Sequence, residues 1–346
     1  MMKKVCTWFA KAFIAVVLSF CIISVFCYFY CNYPSHYTTP SHSTDYYWDK
    51  NAITIRGTEG FALSKTDAKG YVNTYPEKND EIDILLMGSS HTEGFNVASD
   101  KNYAYVLNKL MNDNDAGMYA YNIGVSGHTL SRCFNNLEYA INEFNPTKYI
   151  SIETTSLEIP LDDLIKLDNG TYDTLPSYDS GIASLMQKSD FLRQMYSQLS
   201  NVLEQGNTDT NTVVDDMEKQ PEGYTSNEDN SEYQGYLEST LKKASSVAES
   251  NGCELIITYI PPLEFNYEGD IEKTQLSEYE KIFKNLCEKY NITVIDMRSA
   301  FTDLYNETYN LPQGFSNTVV GEGHINEYGH AEIAKELYEY ITEDKK

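Results

Sequence analysis

Three stretches that lie far apart in the sequence carry serine and histidine in contexts that suit nucleophilic catalysis. Residues 84–94 end an apolar run at a glycine and two serines, residues 122–129 follow a second apolar run, and residues 323–330 lie near the C-terminus. A serine hydroxyl becomes a nucleophile when a base takes its proton. A histidine with an ordinary pKa of about 6.5 can be that base at neutral pH. Ser90 and His324 are the candidate pair.

The middle stretch offers a way to stabilise the reaction. Attack on an ester places negative charge on the carbonyl oxygen, and each backbone N–H group preset in a tight turn stabilises that charge by roughly 3 kcal/mol. Gly127 and the backbone amide of Ser90 are the candidate donors. Ser90 could instead have a purely structural role. Serine is also favoured at helix N-termini, so it would then cap a helix that follows the strand.

The elements that must position these residues alternate between strand and helix. Apolar stripes at helical spacing separate five short apolar runs, which predict buried strands at residues 82–87, 119–123, 148–152, 254–260 and 293–295. This alternation predicts a three-layer α/β/α domain whose parallel sheet is covered by helices on both faces. Ligands bind at the carboxyl edge of such sheets, so we expect the three stretches to meet there.

The N-terminal region predicts a membrane anchor. Residues 12–31 are 20 residues without a charge, enough to span roughly 30 Å of hydrocarbon as a helix. Lys3, Lys4 and Lys11 precede them and no acidic residue does, which predicts a cytoplasmic N-terminus and an extracellular C-terminal domain. No Ala-x-Ala-like cleavage site follows. We therefore favour an uncleaved single-pass anchor in the cell membrane over a cleaved signal peptide.

The rest of the chain divides by composition. Residues 1–31 are interpreted as cytoplasmic tip and anchor, 32–73 as a stalk and lead-in, and 74–346 as the α/β domain. An insertion at about 157–233 interrupts the strand–helix alternation. Its polar, acidic stretch 205–234 predicts a surface loop, which could be a lid or a tolerated insertion.

Charge and cysteine content exclude several classes of protein. The net charge of −25 leaves no basic footprint, so we expect no nucleic-acid partner. Cys133, Cys253 and Cys287 are the cysteines outside the anchor region, and we expect buried free thiols. The chain has no CxxC pair, so we expect no structural zinc site. We expect neither metal nor cofactor, since a metal-dependent hydrolase would rest on scattered histidines and acids alone.

In order, spacing and strand context, the three stretches resemble the SGNH/GDSL hydrolase superfamily over about residues 82–341. Residues 88–94 resemble its Gly-Asp-Ser-x-(Thr)-x-Gly block, and residues 122–129 resemble its second block. Residues 324–330 resemble the last block. The resemblance implies a flavodoxin-like five-stranded sheet of order 2-1-3-4-5, with Ser90 as nucleophile, His324 as base and Gly127 as an oxyanion donor.

The chain departs from the family pattern at three places. The Asp before the nucleophile is Ser89, and the family's oxyanion Asn has no counterpart, so that Thr154 or Thr155 is the candidate replacement. The acid expected three residues before His324 is absent, which leaves Glu322 as the candidate acid or a Ser–His dyad as the alternative. Loss of the orienting acid costs orders of magnitude in rate. The rival hypothesis is therefore an inactive member that binds glycan or a membrane partner.

Further residues are expected to line the substrate pocket. Ser89, His91 and Asn326 are the pocket candidates, and Asn326 is also expected to cap the last helix. Alginate-type O-acetyltransferases of this superfamily use an Asp-x-His with a serine from elsewhere, but residues 89–91 lack that Asp. The resemblance to surface-anchored members implies an esterase or O-acyltransferase acting on cell-envelope glycans, beside a polytopic membrane acyltransferase.

Overall fold

The computed structural model describes residues 2–30, 36–38, 46–48, 50–57, 59–76, 81–172, 230–261, 263, 276–319 and 321–343. Most of the expected insertion, including nearly all of the acidic stretch 205–234, lies outside these residues. Residues 230–234, at the end of that stretch, belong to the helix Asn230–Ser250, so the predicted loop is wrong there. For residues 205–229 the loop stays a prediction.

A long helix and two small hairpins precede the sheet. The helix is α1 (Met2–Tyr30). The hairpins pair β1 (His36–Thr38) with β2 (Tyr46–Trp48), and β3 (Ile53–Arg56) with β4 (Ala62–Lys65). Within α1, the stretch Lys4–Phe26 is long and apolar enough to cross a membrane, as an anchor or a signal sequence would be. Orientation and membrane remain predictions.

The remaining elements alternate as predicted. In chain order they are β5 (Ile84–Met87), α2 (Ser90–Glu93), α3 (Tyr103–Asp113), β6 (Ala120–Asn122), α4 (Leu130–Phe144), β7 (Tyr149–Thr154), α5 (Leu161–Asn169), α6 (Asn230–Ser250), β8 (Glu254–Tyr259), α7 (Glu278–Lys289), β9 (Thr293–Asp296), α8 (Arg298–Thr308) and α9 (Glu327–Glu343).

Strands β5 to β9 form one parallel sheet of order β6-β5-β7-β8-β9. In order of appearance this is 2-1-3-4-5, so the predicted fold class and strand order are confirmed. Successive residues of a strand point to opposite faces. Accordingly Leu85 packs into a core with α4, α6 and α7, while Ile84 and Leu86 pack into a second core with α3, α8 and α9.

The parallel register brings two of the sequence stretches to one edge. Leu86 of β5 pairs with Asn122 of β6, and Met87 pairs with Ile152 of β7. The residues that follow each strand therefore leave the sheet side by side. This edge is where the three stretches were expected to meet.

The β3–β4 hairpin is fastened to the same region by its turn. The side chain of Asn317 accepts a hydrogen bond from Gly60 N at 2.8 Å and donates to Gly60 O at 3.0 Å and Gly57 O at 3.2 Å. Asn96 donates to Glu59 O at 3.3 Å. These contacts hold the turn of the hairpin against the loop that leads to α9.

Candidate active site

Gly88 turns the chain from β5 into the serine-bearing helix. Its φ is +154°, and a Cβ there would lie 2.2 Å from Thr92 Oγ1 and 2.5 Å from Glu153 Oε2. Because no side chain fits, glycine is required. Ser89 then caps α2, accepting a hydrogen bond from His91 N at 3.4 Å. Ser90 is consequently the first residue of a short helix at the carboxyl edge of the sheet.

Ser90, His324 and Glu59 form a continuous hydrogen-bonded chain. Ser90 Oγ lies 2.8 Å from His324 Nε2, and His324 Nδ1 lies 2.5 Å from Glu59 Oε2. The second carboxylate oxygen, Oε1, accepts the backbone N–H of His324 at 2.8 Å. A carboxylate on Nδ1 keeps the proton there and leaves Nε2 free to accept the serine proton.

The surroundings keep Glu59 ionised. Burial raises the pKa of its carboxyl group, but the hydrogen bonds and charge of His324, with the charge of Arg56, lower the pKa by more in total. The net shift is downward from 4.5. The carboxylate is therefore negative at neutral pH and stabilises the imidazolium that proton transfer would create.

Two glycines leave room for this carboxylate. A Cβ on Gly323 would lie 2.4 Å from Glu59 Oε1, and a Cβ on Gly60 would lie 2.7 Å from Asn96 O. Both have positive φ, +88° and +71°. Larger residues at either position would push the hairpin turn away from His324.

Glu59 is the site residue that sequence reasoning missed. It is 265 positions from His324 and belongs to the lead-in that was expected to be outside the domain. Glu322, the sequence candidate for the acid, is exposed, and no hydrogen bond joins it to His324 in the described part of the chain. The only local signal was an acidic residue between the glycines at 57 and 60.

A buried carboxylate, Glu153, holds the turn that carries Ser90. It is 2% exposed at the end of β7. It accepts hydrogen bonds from Ser89 N (2.9 Å), Ser89 Oγ (3.0 Å), Thr92 N (3.3 Å) and Thr92 Oγ1 (2.8 Å). Position 89, where the family pattern has an Asp, thus holds a serine whose hydroxyl donates to a carboxylate of the neighbouring strand.

Two of the three expected oxyanion donors are available. Among the described residues, the backbone N–H groups of Ser90 and Gly127 donate no hydrogen bond. Gly127 is exposed, with φ +81° and open space around it. The hydroxyl of Thr154, in contrast, donates to Ser156 O at 2.7 Å. Its hydrogen is already used, so the structure does not offer Thr154 as a donor.

Three other histidines are buried and neutral. Burial, with the charges of His324 and His330, holds the pKa of His91 well below 6.5, and its Nδ1 accepts the N–H of Ile325 at 3.2 Å. Burial lowers the pKa of His330 and of His128 to about 3. The ring of His91 lies 5.4 Å from that of His324, so it borders the site without being able to take a proton at neutral pH.

Asn326 shapes the loop that carries the base. Its Oδ1 accepts the N–H groups of Tyr328 (3.0 Å) and Gly329 (3.3 Å) at the start of α9. Its Nδ2 donates to Leu311 O (2.7 Å) and Gly314 O (3.1 Å). The side chain therefore ties the helix to the preceding loop and fixes the approach of His324 to Ser90.

The described ranges contain no cluster of three or more His, Cys, Asp or Glu residues that could hold a metal ion. The cysteines Cys133, Cys253 and Cys287 are buried free thiols.

Most of the chain matches the model of one protein family. Residues 84–337 match the model of the family described as GDSL-like lipase/acylhydrolase. No curated protein sequence matches the chain significantly.

Several solved structures are similar to the chain at low sequence identity. A psychrotrophic esterase from Pseudoalteromonas sp. is 13% identical, with 76% of this chain and 97% of that chain covered and a TM-score of 0.38. A variant of an acetyl xylan esterase from Geobacillus stearothermophilus is 14% identical, with coverages of 76% and 97% and a TM-score of 0.41. Another acetyl xylan esterase is 13% identical, with coverages of 75% and 100% and a TM-score of 0.40.

Proposed function

Because the chain belongs to the GDSL-like lipase/acylhydrolase family, we propose that it is a serine esterase or O-acyltransferase whose triad is Ser90, His324 and Glu59. The observation that carries this proposal is the hydrogen-bonded chain from Ser90 Oγ through both ring nitrogens of His324 to Glu59. Each link has the geometry that proton transfer from serine requires.

The proposed reaction proceeds through an acyl-enzyme. Ser90 Oγ attacks the ester carbonyl while His324 Nε2 takes the hydroxyl proton, and the oxyanion accepts hydrogen bonds from the N–H groups of Ser90 and Gly127. Collapse breaks the bond to the alcohol, which leaves with the proton from His324. A second hydroxyl, from water or from a sugar, then attacks the acyl-enzyme with His324 again as base and restores Ser90.

The geometry favours turnover over the non-catalytic alternative. That alternative depended on the absence of the family's Asp and of its oxyanion Asn. The Asn still has no counterpart, since the Thr154 hydroxyl donates to Ser156 O. Glu59 is hydrogen-bonded to His324, and Glu153 is hydrogen-bonded to Ser89 in the turn before Ser90. Glu153 is buried and Glu59 is largely buried. Burial of a carboxylate is costly for folding, and a mere binding surface would not require these two.

We place this activity outside the cell, on acyl esters of cell-envelope glycans. The support is the apolar stretch Lys4–Phe26, preceded by lysine, together with the resemblance to surface-anchored members. An acyltransferase role would also require an acyl donor, for which a polytopic membrane acyltransferase remains the proposed partner.

Active-site labelling tests the triad directly. The full chain in detergent is treated with a fluorophosphonate probe and with p-nitrophenyl acetate, as wild type, Ser90→Ala and His324→Ala. Ser250→Ala is the matched control, because Ser250 is exposed at the opposite edge of the sheet. We expect labelling and hydrolysis to disappear in the first two variants only. A folded wild-type protein that neither labels nor hydrolyses would refute the proposal.

A second measurement separates hydrolysis from transfer. The acetyl-enzyme formed from p-nitrophenyl acetate is offered water alone or water with a chito-oligosaccharide. Mass spectrometry then distinguishes free acetate from acetylated sugar. Acetylated sugar that disappears in Ser90→Ala would assign the transferase direction, and acetate alone would assign the esterase direction.

A further inference from the structure

The outer face of the β3–β4 hairpin exposes large apolar side chains. Phe61 is 74% exposed and Leu63 is 57% exposed, while the intervening Ala62 and the next residue, Ser64, are buried. A hairpin packed on a water-soluble domain normally turns its large apolar residues inward. Here the small residues face the domain and the large apolar ones face outward.

The strand register defines this surface. Thr54 pairs with Ser64, and both are buried, whereas Ile53 pairs with Lys65, and both are exposed. Ile55 pairs with the exposed Leu63 but is itself buried, so the outer face is already covered at this position. Ser64 donates to Val97 O at 3.2 Å, which holds the inner face to the domain. We call the exposed residues Ile53, Phe61, Leu63 and Lys65 the hairpin face.

Three observations indicate what covers the hairpin face. The helix α1, which holds the apolar stretch Lys4–Phe26, contacts β3. The segment 50–69 has four basic and two acidic residues, although the whole chain has 26 basic and 51 acidic. Arg56 and Lys69 contact the domain, whereas Lys65 is exposed on the hairpin face. An aromatic and aliphatic surface with a lysine at its margin suits the interface of an anionic bilayer, where apolar side chains enter and ammonium groups meet headgroups.

We propose that the hairpin face rests on the anionic bilayer into which α1 inserts, with Phe61 and Leu63 in the interfacial layer. This rests on the membrane anchoring in the proposed function. Glu59 lies two residues before Phe61, in the turn that reaches His324. The proposal therefore places the Ser90–His324 site close to the lipid surface, where esters carried by membrane-attached substrates would reach it.

Lipid-dependent tryptophan quenching tests this contact. The chain has two tryptophans, Trp8 and Trp48, which are replaced by Phe so that Phe61→Trp places a single reporter on the hairpin face. Ser250→Trp in the same background is the matched control, because Ser250 is exposed at the opposite edge of the sheet. The full chain is reconstituted in phosphatidylcholine–phosphatidylglycerol vesicles with and without brominated acyl chains.

We expect the reporter at position 61 to emit at shorter wavelength and to be quenched by brominated lipid, and the reporter at 250 to show neither effect. Lys65→Glu should weaken the quenching at position 61, whereas Lys243→Glu on α6 should not. Equal emission and no quenching at both positions would overturn the proposal. A short-wavelength emission in detergent that depends on protein concentration would also overturn it, since a second copy would then cover the hairpin face.

Hydrolysis of p-nitrophenyl acetate by the same samples keeps the two proposals separate. Active protein without quenching at position 61 would overturn the membrane contact and leave the esterase. Quenching at position 61 in a protein that neither labels nor hydrolyses would support the membrane contact and overturn the esterase.

Discussion

Replacing Glu59 by glutamine isolates the contribution of the proposed acid. The carboxylate makes two contacts with His324, one from Oε2 to Nδ1 at 2.5 Å and one from the backbone N–H to Oε1 at 2.8 Å. Glutamine keeps the length of the side chain but has one acceptor oxygen. If that oxygen stays on the backbone N–H, the NH₂ group faces Nδ1 and favours the tautomer with its proton on Nε2.

That tautomer cannot accept the proton of Ser90. The imidazolium formed during the reaction would also lose its negative partner. Loss of both effects typically lowers kcat by about 10⁴, or roughly 5.5 kcal/mol of barrier at a factor of ten per 1.36 kcal/mol. We therefore expect Glu59→Gln to fold and to lower kcat by about 10³ to 10⁴, with a small change in KM.

The assay compares steady-state hydrolysis of p-nitrophenyl acetate by the wild type, Glu59→Gln and Glu322→Gln. Glu322 is the matched control because it is an exposed glutamate two residues from His324. We expect Glu322→Gln to keep activity within about twofold, as is usual for an exposed charge. Full activity in a folded Glu59→Gln, or a loss confined to Glu322→Gln, would refute the assignment of the acid.

Three other perturbations probe the same architecture. Gly323→Ala, whose Cβ would meet Glu59 Oε1 at 2.4 Å, should misplace the triad. We expect the rate of fluorophosphonate labelling to fall by about 10². Glu153→Gln should lower the free energy of unfolding by about 2–3 kcal/mol in urea titrations, because donors from Ser89 and Thr92 lose a charged acceptor; an unchanged midpoint would contradict this role. Burial lowers the pKa of His330 from 6.5 to about 3. Between pH 6.5 and pH 3 the unfolded chain therefore binds a proton at this histidine and the folded chain does not. The free energy of unfolding should fall as the pH drops through that window. His330→Gln should flatten this pH dependence, and a slope equal to that of the wild type would count against it.

Local patterns in the sequence were sufficient for the sheet and for Ser90 and His324, the two side chains that the structure brings together at its carboxyl edge. Five apolar runs separated by helical stripes predict a parallel sheet, because strand and helix periods are local properties of the chain. The turn at Gly88 was recognisable because glycine and serine directly after an apolar run favour a tight turn. His324 was recognisable because it stands before a capped helix, where Asn326 accepts the first N–H groups.

Only the tertiary structure decided which carboxylates complete the site. Glu59 reaches His324 from a hairpin 265 positions away, and Glu153 reaches the turn before Ser90 from the neighbouring strand. Thr154 was excluded as a donor by its own bond to Ser156. The physical reason is that an orienting acid needs only a carboxylate oxygen within about 3 Å of Nδ1. Any segment that packs there can supply it, so its position along the chain carries no local pattern.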